Sequence, residues 1–126
     1  MTVIVNLNHS ESVRLDRAQL ERLYVQLGPA RADKEVNQTL EDLAIGLANV
    51  QKAQRGGQMD QVRECVRNLI AIANKIGMTS LGRVGRDVLD LSQGTDLAGY
   101  HATLARLGRI GERSLIAVWD IQDVTL

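Results

Sequence analysis

The chain has 126 residues, enough to bury one substantial hydrophobic core. Fifteen basic residues balance fifteen acidic ones, so bulk charge points to neither nucleic acid nor a membrane surface as partner. Phenylalanine is absent and Tyr24, Tyr100 and Trp119 are the only rings, which leaves a core of Leu, Ile, Val and Ala suited to helix-on-helix packing.

The stretch 2–7, TVIVNL, alternates and predicts extended backbone too short for a sheet of its own. It reads as an N-terminal arm over 1–15, with HSES as a polar linker. Its apolar run is short and no basic stretch precedes it, so a signal peptide is not expected. Asp16, with Gln19 three positions on, predicts a capping box that opens a short first helix. Leu20, Leu23, Tyr24 and Leu27 form its stripe, and Gly28-Pro29 stops it. A second helix is expected over 30–55, where Val36, Leu40, Leu43, Leu47 and Val50 repeat at fours and threes. RGGQ then turns the chain. A third helix is expected over 59–76, with Val62, Cys65, Val66, Leu69, Ile72, Ala73 and Ile76 on one face and Gly77 as its C-terminal cap. Thr79 is expected to cap a fourth helix with the stripe Leu81, Val84, Val88 and Leu91, ended by SQGT. A fifth is expected over 96–119, along Leu97, Tyr100, Leu104, Leu107, Leu115 and Val118. The tail DIQDVTL is ambiguous.

These elements predict an all-α fold in one domain over 1–126. It consists of a short leading helix followed by four helices in an antiparallel bundle over 16–120. No segment approaches the roughly 20 apolar residues of a membrane span. Cys65 is the only cysteine, so no disulfide forms within the chain and a reducing, cytoplasmic setting is expected. Cys65, His9 and His101 do not make a zinc set, and no metal or other cofactor is expected. LGRVGRDVL and LGRIGERSL echo one another, but two units are too few for a repeat architecture. Each interior helical glycine costs about 1 kcal/mol relative to alanine. Gly82, Gly85, Gly108 and Gly111 are therefore expected to serve close packing or bending. The basic G-x-x-G run resembles the KH nucleic-acid loop, which needs a mixed α/β context that is missing here.

On a wheel of roughly 100° per residue, the apolar residues of the third helix lie within about 60° of Leu69. Arg67 falls about 160° away, with Arg63, Ala71 and Asn74 near it and Ile70 at the shoulder. This is a polar ridge on the face opposite the core. Its register resembles that of a histidine phosphotransfer (HPt) domain. Members of that family carry a phospho-accepting histidine, then leucine, lysine and glycine at the second, third and fourth positions after it. A glycine ten positions on closes the helix and a leucine opens the next. Counting back from Gly77 places Arg67 at the histidine position. Leu69 then matches the family leucine, Ala73 a small position and Leu81 the leucine of the next helix. The specific part of the resemblance is confined to residues 67–81, within a helix order that matches over 16–118.

The departures decide the chemistry. Arg67 replaces the histidine, Ile70 the lysine and Ala71 the glycine. The family reaction needs a neutral imidazole nitrogen to attack an aspartyl phosphate, whereas arginine has no acceptor and stays charged. The resemblance thus implies a non-catalytic, pseudo-phosphotransfer member of two-component phosphorelay signalling. Such a protein would dock a receiver domain or a histidine kinase through Arg63, Arg67, Ile70, Ala71 and Asn74. No enzymatic activity and no nucleic-acid or membrane partner are expected.

The other chemistry-bearing residues read as ordinary structure. His101 lies about 60° from Leu104, at the edge of the apolar stripe. His9 falls in the polar linker, and Cys65 on the buried side of its helix. Glu41 and Asp42 do not share a helix face. Asp87 and Asp90 have no metal-ligand or acid/base partners around them. Two alternatives remain. One is a helical scaffold or homodimer with no tie to phosphorelay, packing through Ile110, Ile116 and Trp119. The other is an active phosphotransferase that uses His101.

Overall fold

The computed structural model describes the backbone of residues 2–6 and 12–125 and the side chains of residues 13–122. His9 and most of the HSES linker lie outside the described residues. The order is β1 (Thr2–Asn6), β2 (Ser12–Asp16), α1 (Arg17–Leu27), α2 (Pro29–Arg55), α3 (Met59–Lys75), α4 (Thr79–Leu91) and α5 (Leu97–Thr125). The chain is thus predominantly helical, as its periodicity predicts. α2 packs on α3, α3 on α4, α4 on α5, and α5 closes back on α2. Buried hydrophobic side chains from all five helices and β2 form one cluster, with Leu43, Leu69, Leu81 and Leu107 among the most deeply enclosed. Among the described residues no helix is long and apolar enough to cross a membrane.

The N-terminal segment departs from the expected arm. The 2–6 stretch is extended, but it pairs antiparallel with β2, with Val3 opposite Leu15 and Val5 opposite Val13. β2 alternates with period two, so Val13 and Leu15 are buried while Arg14 between them is exposed. Its outer edge is stitched to the α3–α4 turn. The Arg14 N–H donates to Ser80 Oγ at 2.6 Å, and Thr79 Oγ1 donates to the Arg14 carbonyl at 2.9 Å. The Asp16 N–H donates to the Gly77 carbonyl at 2.7 Å.

These bonds also correct two expected caps. Thr79 does not cap α4. Met78 holds that position without a side-chain bond, and the Thr79 hydroxyl serves β2 instead. Only half of the capping box forms at α1: the Gln19 N–H donates to Asp16 Oδ1 at 3.1 Å. The Gln19 side chain turns away to donate to the carbonyls of Asn74 (2.6 Å) and Lys75 (3.2 Å). It thereby satisfies acceptors that the end of α3 would leave without a partner.

Gly77 closes α3 as expected, in the left-handed region at φ 75°. The Met78 N–H donates to the Ala73 carbonyl at 3.0 Å, completing the glycine-centred stop. The interior glycines mark close helix contacts. A Cβ on Gly85 would lie 2.7 Å from Ile70 Cγ1, and one on Gly111 would lie 2.5 Å from Leu47 Cδ2. Gly108 faces open space, so the packing explanation covers only part of the echo.

Three further expectations shift. α5 continues through the ambiguous tail to Thr125, and Ile121 is buried there. Ile110 belongs to the core, not to a spare apolar seam. Leu97, expected on the buried stripe, is exposed in the first turn of α5. Tyr24 joins three helices: its hydroxyl donates to Asp33 Oδ1 on α2 and accepts from Gln122 Nε2 on α5 at 3.1 Å. Burial, then the bond to Asp33, pushes the Tyr24 phenol above the ordinary tyrosine value.

Candidate functional site

The candidate site is the outer face of α3 where it borders α4. Pairs of contacts between the helices fix its geometry. Arg63 reaches Ser92 at the end of α4, Ile70 covers Gly85 in its middle, and Asn74 meets Gly82 near its start. A Cβ on Gly82 would lie 3.3 Å from Asn74 Oδ1 and 3.5 Å from an Arg86 guanidinium nitrogen. The two glycines thus let α3 approach α4 closely, and Arg86 folds over the gap. Both glycines sit inside α4, so the G-x-x-G run is helix rather than a nucleic-acid-binding loop.

The five residues of the expected ridge separate into different environments. Arg67, Ala71 and Asn74 are exposed. Ile70 is half-buried, because its side chain fills the space left by Gly85. Arg63 is occupied. Its Nε donates to Ser92 Oγ and its Nη2 to the Ser92 carbonyl, both at 3.0 Å, and it pairs with Asp60 one turn back. Ser92 Oγ passes the network on by donating to the Leu89 carbonyl at 2.6 Å. Arg63 therefore ties off the C-terminus of α4, where a cation is favoured. Arg67 has no hydrogen-bond or ion-pair partner among the described residues, and its guanidinium stands in solvent at the middle of α3.

The buried side of the register is as the periodicity predicts. Leu69 and Leu81 are each 1 % exposed, and Ala73 is fully enclosed. Ser92 and Arg86 are the residues of this face that sequence reasoning missed. Asp60 was missed as well, although its i, i+3 spacing to Arg63 is the signal of a helix-surface pair. Ser92 lies 29 residues away, and no local pattern announces it.

Elsewhere, His101 is exposed and meets Tyr100 edge-on, with ring centroids 5.2 Å apart. It stands beside a pocket of about 100 Å³ walled by Met59, Val62 and Tyr100. Gln54, Gly57 and Gln58 complete the lining, so it offers neither a carboxylate to orient the imidazole nor a cation to hold phosphate. Burial raises the Tyr100 phenol above its ordinary value, an effect partly opposed by the Arg63 charge. Cys65 is half-buried at the edge of the core. Glu41, Asp87 and Asp90 are exposed and Asp42 is half-buried. No group of three or more potential metal ligands occurs among the described residues.

Comparison with protein-family models, with curated proteins and with solved structures finds no match to this chain.

Proposed function

We propose that this chain is a non-catalytic, HPt-like signalling module. In this reading α2 to α5 form an antiparallel four-helix bundle led by α1, and the α3 face docks a receiver domain or a histidine kinase without carrying phosphate. The contacts of Arg63 with Ser92, Ile70 with Gly85 and Asn74 with Gly82 run in opposite directions along α3 and α4, which supports the antiparallel arrangement.

The observation that carries the functional reading is Arg67 itself. It is exposed at the middle of α3, without a partner among the described residues. Buried Leu69, the Gly77 turn and buried Leu81 set its register. A guanidinium cannot accept a phosphoryl group. It can enter an acidic pocket and pair with carboxylates there, two at a time in fork geometry. The phosphorylation pocket of a receiver domain is such a pocket. Ile70 adds an apolar shoulder beside the charge.

Isothermal titration against a panel of purified receiver domains tests this. At least one receiver is expected to bind, and Arg67→Glu is expected to weaken that binding at least tenfold. An unpaired carboxylate facing an acidic pocket costs more than the lost contact alone. If no receiver or kinase domain binds, or if the charge reversal leaves affinity unchanged, the reading fails.

One observation favours a second reading, a helical scaffold that self-associates. Ile116 and Trp119, one turn apart on α5, are 51 % and 59 % exposed. Light scattering on Trp119→Glu tests that face.

A further inference from the structure

The two edges of the hairpin are treated differently. The outer edge of β2 is covered by the α3–α4 turn, as the bonds of Arg14 and Asp16 to Ser80, Thr79 and Gly77 show. In an antiparallel pair, a residue's N–H and C=O point to the same side, and the sides alternate along the strand. Arg14 and Asp16 bond away from β1, so Arg14–Ile4 and Asp16–Thr2 are non-hydrogen-bonded pairs. The N–H and C=O of Thr2, Ile4 and Asn6 consequently turn outward, away from β2. Among the described residues β1 pairs with β2 alone.

Within the strand itself, the sequence features that protect the margin of a sheet are missing. TVIVN has no lysine, no other charge and no proline, and three of its five residues are β-branched aliphatics. From this we infer that β1 is a self-association edge: two copies of the chain pair β1 against β1 about a two-fold axis, turning two hairpins into one four-stranded sheet. A second copy suits this edge because a strand without charge meets itself without repulsion and an antiparallel two-fold contact is self-complementary. The charged side chains described in the hairpin, Arg14 and Asp16, both lie on β2. Across a four-stranded sheet the two copies of Arg14 lie three strand spacings apart, roughly 14 Å. That exceeds the screening length of about 8 Å at physiological salt.

Sedimentation of the full chain from 5 to 500 µM, in parallel with amide hydrogen exchange, tests the inference. The wild type is expected to pass from monomer to dimer as concentration rises. The amides of Ile4 and Asn6 should gain at least tenfold protection over the same range. Ile4→Pro removes an outward N–H and no bond of the β1–β2 ladder, so it is expected to weaken dimerisation at least tenfold. Trp119→Glu should dimerise as the wild type does. A wild type that stays monomeric at 500 µM overturns the inference. So does a dimer in which Ile4 and Asn6 exchange at the monomer rate, or one that Ile4→Pro leaves intact. The exchange readout needs no variant and stands if Ile4→Pro does not fold. Loss of receiver binding in Arg67→Glu, or its absence, leaves these outcomes unchanged.

Discussion

Gly77→Ala probes the junction on which the α3 register depends. Two costs add at this residue. The first is conformational: φ is 75°, and an L-residue in the left-handed region costs roughly 1–2 kcal/mol. The second is contact. A Cβ at residue 77 would lie 2.8 Å from the Asp16 carbonyl oxygen and 3.0 Å from Asp16 Cβ, and the first of these is backbone that cannot rotate aside. Relief requires Asp16 to move, which endangers the 2.7 Å bond from its N–H to the Gly77 carbonyl. Such a bond contributes about 0.5–1.5 kcal/mol. Together these costs come to about 1.5–3.5 kcal/mol. Gly57→Ala is the matched control: it closes α2 at φ 69°, yet a Cβ there has nothing within 4 Å. It carries only the conformational cost. The gain from stiffening the unfolded chain, roughly 0.4–1 kcal/mol, applies to both and cancels in the comparison. Urea denaturation followed by far-UV circular dichroism should place Gly77→Ala below Gly57→Ala by the cost of that bond, centred on about 1 kcal/mol. At this chain length that corresponds to roughly 3–6 °C in Tm. Equal losses within about 0.3 kcal/mol, the usual error of additive comparisons, would sink the claim that hairpin docking at Asp16 requires glycine.

Two further measurements address the rest of the framework. Arg63→Ala should cost about 1.5–3 kcal/mol, since it removes charge-assisted bonds to Ser92, whereas Ser92→Ala should cost about 0.5–1.5 kcal/mol. The double variant should cost less than their sum in urea melts, because both remove the bond from Arg63 Nε to Ser92 Oγ. Additive losses would show that the bond from Arg63 to the Ser92 hydroxyl contributes nothing. For Tyr24, a raised folded pKa means that the native state holds its phenolic proton more tightly than the unfolded chain. Its contribution is complete below the ordinary tyrosine pKa of about 10 and is lost as pH rises through the higher folded value. Absorbance at 295 nm should show ionisation above that ordinary value, and stability should fall above about pH 10. The fall should be smaller in Tyr24→Phe, and an unchanged pH slope in that variant would refute the assignment.

The helices were legible because each carries enough apolar residues at the helical period to outvote local noise. The seam from Val36 to Val50 on α2 is buried, as are Val62, Val66, Leu69 and Ala73 on α3, with Cys65 and Ile72 half-buried at the edge of that stripe. What escaped was whatever depends on a distant partner. Val13-Arg14-Leu15 is a strand by period two, but two apolar residues are too few to declare it, and its outer bonds go to residues 65 and 66 positions away. Gln19 had the spacing of a capping box, yet the bare carbonyls at the end of α3, 55 and 56 residues on, took its side chain. Thr79 was diverted from capping in the same way. Ile110 sat beside the stripe on an ideal wheel and is nonetheless 1 % exposed, because the whole bundle, not one helix, decides which face is enclosed. On the candidate site, the direction of Arg67 was legible from the wheel, whereas the capture of Arg63 by Ser92 was not.

This division bears on the meaning of the α3 register. Most positions of the register have a structural task that needs no phosphorelay to explain it; exposed Arg67 and Ala71 do not. Leu69 and Leu81 fill the core, and Ala73 is enclosed where a larger side chain would not fit without rearrangement. Gly77 is demanded by its φ and by the backbone of Asp16. Ile70 is placed by Gly85. These residues account for the shape of the α3–α4 unit and would be selected by folding alone. Arg67 is different. Removing its charge breaks no bond within the described structure, so folding does not specify arginine at that position. Stability measurements on Arg67 variants should therefore stay within about 0.5 kcal/mol of the wild type, as at other unencumbered surface sites. Any larger effect of Arg67→Glu on receiver binding then reports docking and not a damaged fold. That separation lets the proposed role of Arg67 be tested without disturbing the fold that holds it.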